Sequence, residues 1–340
     1  MRAAWIGAWG GTLELGEAPD PEPGPGEVLI RVESCGIGLT VVNCMAGQLG
    51  ADPAHLPRVP GHELVGTVEA VGAGVPVGRV GERVTAYFYL SCGTCERCLA
   101  GAESLCRNFG GNVGVACDGG FAELVRLPQL NALALAGSLD PVEATVIPDA
   151  TATPVHVARR ASIGRGERVA VVGAGGGLGI HMVQVARAFG AEVLGLDVAE
   201  EKLSFLADEL GVHAASSSSF DAVSLPDGWG GKADVVVDFL GRKESSRWAL
   251  EHLDSNGRLV CLTSFRGIEF PVASRELVAG QLSVLGVRYA SRHDVRLAAE
   301  LVATGKVRPV ISRRVGLEEV PSVVEDLRRG TLLGRGALVW

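Results

Sequence analysis

The strongest constraint on this chain lies between residues 167 and 265, where strand-length apolar blocks alternate with helix-period runs. ERVAVVGA is a buried-strand block, IHMVQVARAFG spaces its apolar residues as a helix does, AEVLGLDV is a strand again, and EEKLSFLADELG a helix. KADVVVDFLG, SSRWALEHLDSNG and RLVCLTSF continue the alternation. Strands so apolar leave no face for water, and helical crossovers between them predict a parallel, doubly wound sheet from about residue 150 onward. The polar run SSSSF at 216–220 reads as a surface loop.

Upstream the period is different. EVLIRVES, HELVGTVEAVG, RVTAYFYL and FAELVRLP are short strands separated by proline and glycine, with PDPEPGPGE as the first connector. That is an all-β pattern. A chain of 340 residues can build both cores. Its net charge of −8 argues against a nucleic-acid partner, which needs a positive footprint. No apolar run is long enough to span a bilayer, and MRAAWIGAWGGTLELGE lacks the basic start and long apolar core of a signal peptide. A cytoplasmic location is the expectation.

Four of the eight cysteines crowd into SCGTCERCLAGAESLC: Cys92, Cys95, Cys98 and Cys106. Without an oxidising compartment, this C-x2-C-x2-C-x7-C spacing predicts a tetrahedral site for one structural Zn2+ per chain, with no open position for a substrate.

The first crossover of the parallel sheet carries the run GAGGGLG, with Gly173, Gly175, Gly176, Gly177, Leu178 and Gly179 between a strand and a helix. Glycine there lets backbone approach a pyrophosphate at the positive end of the helix. The following strand ends in Asp197, which can accept from both ribose hydroxyls and repels a 2′-phosphate. Val198 and Ala199 offer no arginine to hold such a phosphate. NAD(H) is the expected cofactor, ahead of NADP(H).

Together, PRVPGHELVGTVEAVGAGV, the four-cysteine lobe, DGGFAELVRLP, GAGGGLG and LLGRGALV resemble the zinc-containing, alcohol dehydrogenase-like medium-chain dehydrogenase/reductase family over essentially the whole chain. The resemblance implies a partly open β-barrel (GroES-like) catalytic domain at 1–149 and 285–340, carrying the zinc lobe near 92–106. It also implies a Rossmann domain at 150–284, substrate in the cleft between the two, and a homodimer or homotetramer joined through the dinucleotide-binding sheets.

One stretch departs from the family. CGIGLTVVN aligns with a segment whose second cysteine is the first ligand of the catalytic zinc, and that position is Gly38. Leu39, Val41 and Asn43 also differ from the usual residues. Thr40 matches a threonine whose hydroxyl bonds the reacting oxygen, His62 matches the second ligand, and Glu63 matches the carboxylate beside it. Asp149 falls where the third ligand is usually cysteine. The expectation is that the catalytic zinc is lost; a weak nitrogen- and oxygen-bound metal on His62, Glu63 and Asp149 is the alternative. Phe88 matches a substrate-pocket position. Arg335 matches an arginine at the cofactor pyrophosphate, with a surface salt bridge as the plainer expectation.

Three functional readings follow. The first is NAD(H)-dependent hydride transfer to or from an alcohol/carbonyl pair, with Thr40 as donor and His62, oriented by Asp149 or Glu63, as acid or base. The second is metal-free reduction of an activated C=C or C=N bond in a biosynthetic pathway. The third is an NAD-binding protein without catalysis.

Overall fold

A computed structural model of the chain describes residues 1–262, 269 and 272–340. In chain order its strands begin with β1 (Arg2–Ile6), β2 (Leu13–Glu17), β3 (Glu27–Ile37), β4 (Glu63–Val71), β5 (Arg83–Ala86), β6 (Leu124–Pro128) and β7 (Ala132–Ala134). Next come β8 (Arg168–Val172), β9 (Glu192–Asp197), β10 (His213–Ser216), β11 (Ala233–Asp238), β12 (Leu253–Cys261) and β13 (Ser283–Gly286). The last are β14 (Ile311–Val315) and β15 (Arg335–Val339).

The chain divides into two units: Met1–Ala152, Ala290–Ala303 and Pro309–Trp340 form one, and Thr153–Tyr289 with Thr304–Arg308 the other. The second unit holds a six-stranded sheet in the order β10-β9-β8-β11-β12-β13, every neighbouring pair parallel. Chain order 3-2-1-4-5-6 is that of a doubly wound nucleotide-binding sheet. Its central strands are apolar throughout because helices cover both faces, and Val172, Leu196, Val236, Trp248 and Leu259 are buried in one core cluster.

Two local expectations were off in this unit. SSRWALEHLDSNG is helical only over Lys243–His252; Leu253 onward is already strand β12. Asn256 there takes φ 61°, which breaks any helix, and Leu253 pairs with Ala233 on β11. SSSSF is not wholly loop, since Ser216 ends β10, paired with Asp197, and Ser217 is buried. The end of RLVCLTSF, 263–265, lies outside the described residues.

The first unit is built on the sheet β14-β15-β3-β4-β5-β7, with β6 also pairing β3. Apart from the parallel pair β14–β15, its pairs are antiparallel. The long β3 reads iBBBeBiBBBB in burial, so it runs through the middle of the core instead of alternating wet and dry. Two of its pairings matter for the site. Gly36 lies opposite Glu63 on β4, and Ile37 lies opposite Gly336 on β15. The register therefore places Gly38, just past the end of β3, beside Arg335. Among the described residues no helix is long and apolar enough to cross a membrane.

Candidate active site and metal centres

Gly36 and Gly38 are two residues apart, so their missing side chains would point to the same side of β3. Glu63 approaches that gap from one flanking strand and Arg335 from the other, although the flanking strands are about 9.5 Å apart. They meet across the glycines: Arg335 donates from NH2 to Glu63 Oε1 at 2.9 Å. The guanidinium also lies 3.7 Å from Asp149 Oδ2. Asp149 sits on a π-helical turn, Ile147–Thr151, and its Oδ2 is 3.2 Å from His62 Nε2. Single π-turns of this kind often position functional side chains. The His62 ring packs on Phe88, centroids 4.1 Å apart.

All four ionisable groups are buried: His62 at 3%, Glu63 at 0%, Asp149 at 6% and Arg335 at 4% exposure. Burial pushes the Glu63 carboxyl up, against the opposing pull of the Arg335 guanidinium. Among the described residues, Glu63 Oε2 and Arg335 Nε have no hydrogen-bond partner. Arg335 is thus not a surface salt bridge, as the plainer expectation had it, but one arm of a buried ion pair. Thr40 lies half-buried in the first turn of the helix Leu39–Met45, immediately after Gly38.

The donor atoms of His62, Glu63 and Asp149 lie within 4.8 Å of one another, a spacing that suits a metal ion. The residues around them do not. Gly38 supplies no thiolate, and a guanidinium already stands against both carboxylates. A divalent ion there would sit beside a fixed like charge in a buried site, where such repulsion is strong.

The cysteine lobe is different. Its sulfurs are 3.5 Å apart for Cys95–Cys98 and Cys92–Cys106, 3.9 Å for Cys95–Cys106 and 4.0 Å for Cys92–Cys98. Tetrahedral zinc with bonds of about 2.3 Å needs sulfurs about 3.8 Å apart. Backbone N–H groups of Thr94 and Cys95 aimed at Cys92 pull its thiol down to about 5, while burial pushes Cys98 up to about 12. Zinc takes thiolates, so loading the lobe releases the protons its thiols still carry. Arg292, from the returning segment, braces the loop by donating from NH2 to Ser91 at 2.9 Å and pairing with Glu103 at 3.6 Å.

In the other unit, β8 is followed by Gly173 at φ 79°, a conformation that disfavours any residue with a Cβ. A Cβ on Gly179 would stand 2.1 Å from the Gly173 carbonyl oxygen, so glycine lets the helix Gly179–Ala188 start directly against the strand end. Gly175 is buried, and Gly176, Gly177 and Leu178 lie half-exposed at the helix N-terminus, which has no side-chain cap. Asp197 closes the cradle: Oδ2 accepts from Gly175 N–H at 2.9 Å and Oδ1 from Val198 N–H at 2.8 Å. These residues fit a dinucleotide. Lys202 escaped the sequence reading; its stem lies against Gly175, where a Cβ would be 2.5 Å away. That lysine is only 9% exposed, although long charged side chains are seldom so buried. Tyr87 and Met45 are core residues, the Tyr87 hydroxyl donating to the Ala290 carbonyl at 2.8 Å.

A doubly wound sheet with such a cradle, joined in one chain to an antiparallel unit bearing a thiolate lobe, defines the class: a two-unit dinucleotide-binding oxidoreductase. The comparisons with known proteins agree. Residues 24–137 match the alcohol dehydrogenase GroES-like domain, and 177–304 match the zinc-binding dehydrogenase model. An alcohol dehydrogenase of Geobacillus stearothermophilus is 34% identical over 98% of both chains. An acryloyl-coenzyme A reductase of Metallosphaera sedula is 32% identical over 95% of both. The structure of a thermostable alcohol dehydrogenase from Pyrobaculum aerophilum, 33% identical, superposes with a TM-score of 0.89 over 100% of this chain and 99% of its own. The chain belongs to the zinc-type medium-chain dehydrogenase/reductase family.

Proposed function

We propose that the protein is an NAD(H)-dependent oxidoreductase that moves hydride between nicotinamide and a small alcohol/carbonyl pair, with zinc on the four-cysteine lobe and no catalytic metal. The observation that carries this reading is the Arg335 guanidinium lodged over Gly38 against Glu63 and Asp149. Reduced nicotinamide supplies the hydride. His62, oriented by Asp149, gives the matching proton to the substrate oxygen, and Thr40 donates a hydrogen bond to that oxygen. Phe88 and the His62 ring form one wall. Asp197 favours NAD(H).

A metal-free site is less demanding for a conjugated acceptor, whose own carbonyl takes up the charge left by hydride addition. The acryloyl-coenzyme A reductase relative favours this second reading, reduction of an activated C=C bond. A homo-oligomer joined along β13 fits the exposed edge that this strand presents, with Val284 on it.

Turnover decides among the readings. Ketones, secondary alcohols and enoyl thioesters are assayed with NAD(H) on protein of known zinc content. Ketone or alcohol turnover at one zinc per chain supports the first reading, and enoyl turnover alone supports the second. Saturable NADH binding with no turnover on any of them leaves a non-catalytic NAD-binding protein. In either catalytic case His62→Ala lowers kcat by roughly 10²–10⁴-fold.

A further inference from the structure

The Gly38 backbone has φ −123° and ψ 174°, ordinary extended geometry that any residue adopts. Glycine is therefore not required there for the chain to turn. What it provides is room: a Cβ at position 38 would lie 2.4 Å from Arg335 NH1 and 2.6 Å from Cζ. A Cβ at Gly36 would likewise lie 2.5 Å from Glu63 Oε2. The two glycines leave a channel across β3, and the Arg335 and Glu63 side chains, 272 residues apart in sequence, fill it from its two ends.

We propose that Arg335 is the resident cation of this site, its guanidinium taking over the electrostatic place of a divalent metal. The proposal rests on the metal-free reading above and adds the agent responsible. Two buried carboxylates and a histidine, with donor atoms within 4.8 Å, would attract a divalent ion. The guanidinium satisfies one carboxylate directly and stands near the other, so the cluster carries its positive charge permanently. Gly38 and Arg335 then work as a pair: a cysteine at 38 would both restore a metal ligand and evict the arginine. Unlike a metal, the guanidinium has no coordination position to open. The donor it leaves over is Nε, buried and without a partner.

The test is a cobalt(II) titration of protein whose lobe is already loaded with zinc, followed by elemental analysis and by absorption. Wild type, Arg335→Met, Arg335→Lys and the double variant Gly38→Cys/Arg335→Met are compared. The proposal predicts that wild type and Arg335→Lys take up no cobalt beyond the lobe. Arg335→Met gains one ion per chain, with affinity raised at least on the order of 10³-fold, since a unit charge at about 4 Å repels a divalent ion with twice the energy of a unit-charge pair. The double variant also gains cobalt–thiolate absorption.

If wild type already binds the second ion, the metal-free reading fails. If wild type binds none, and a folded Arg335→Met with its lobe zinc in place also binds none, the metal-free reading stands and the role of Arg335 is overturned. Should Arg335→Met not fold alone, it is produced with cobalt in the medium. Rescue by the metal supports the exchange of one cation for another. Failure of both Arg335→Met and the double variant to fold with metal overturns it.

Discussion

The four-cysteine lobe and the His62–Glu63–Asp149 cluster both consist of metal-ligand residues drawn within 4.8 Å, and the metal-free reading proposed above separates them by what surrounds each. In the lobe four thiols face one another, and two backbone N–H groups favour ionisation of Cys92. In the cluster the donors are hard nitrogen and oxygen, the expected thiolate is a glycine, and an arginine has filled the gap. Proximity of ligand-type residues is thus a poor guide by itself. What decides is whether the charge of the cluster is already answered from within the chain.

The largest effect expected from disturbing this contrast is in the lobe. Cys106→Ser should lose the zinc and lower stability by more than about 4 kcal/mol, read by elemental analysis and thermal melting. Zinc removal by a strong chelator should reproduce the melt of this variant and leave it unchanged when applied to the variant itself. In the cluster, Glu63→Ala strands a buried guanidinium and should cost about 3 kcal/mol without changing the metal count, measured by urea denaturation. An unchanged urea midpoint would mean that the ion pair is looser than described.

Smaller effects lie in the other unit. Asp197→Ala removes the acceptor for the ribose and for Gly175 N–H, and should weaken NADH binding by roughly 10–100-fold while moving NADPH much less. Fluorescence titration with both nucleotides checks it. The smallest is a pH effect at Asp234, whose carboxyl Arg168 holds below the usual range through bonds of 2.7 Å and 2.9 Å. A lowered carboxyl pKa stabilises the fold above its unfolded value, near 3.9, and this contribution vanishes as pH falls through the lower folded value. Asp234→Asn should cost no more than about 1 kcal/mol at neutral pH, partial exposure screening the pair, and nothing at the acid end. A pH series of denaturation midpoints shows it.

The lobe, the parallel sheet and the glycine cradle were readable because each is local: ligands a few residues apart, strands and helices with their own periods, a turn flanked by both. His62, Glu63 and the glycine at position 38 were singled out from a resemblance that runs along the chain, and the structure brings them together with Asp149 and Arg335. The destination of Arg335 was not. It depends on the β15–β3–β4 register, a pairing of segments from the two ends of the sequence that no local pattern encodes. Lys202 was missed for a similar reason, since a lysine in EEKL looks like a solvated helix face until Gly175 is seen beneath it. β10 went unread because HAAS is too short and polar to show strand alternation.

The most direct measurement is anomalous X-ray scattering at the zinc edge from crystals grown with zinc present. A single peak per chain, among Cys92, Cys95, Cys98 and Cys106, is predicted, with guanidinium density over Gly38. A second peak between His62 and Asp149, with Arg335 swung away, would contradict the central claim that this cluster is closed to metal by its own arginine.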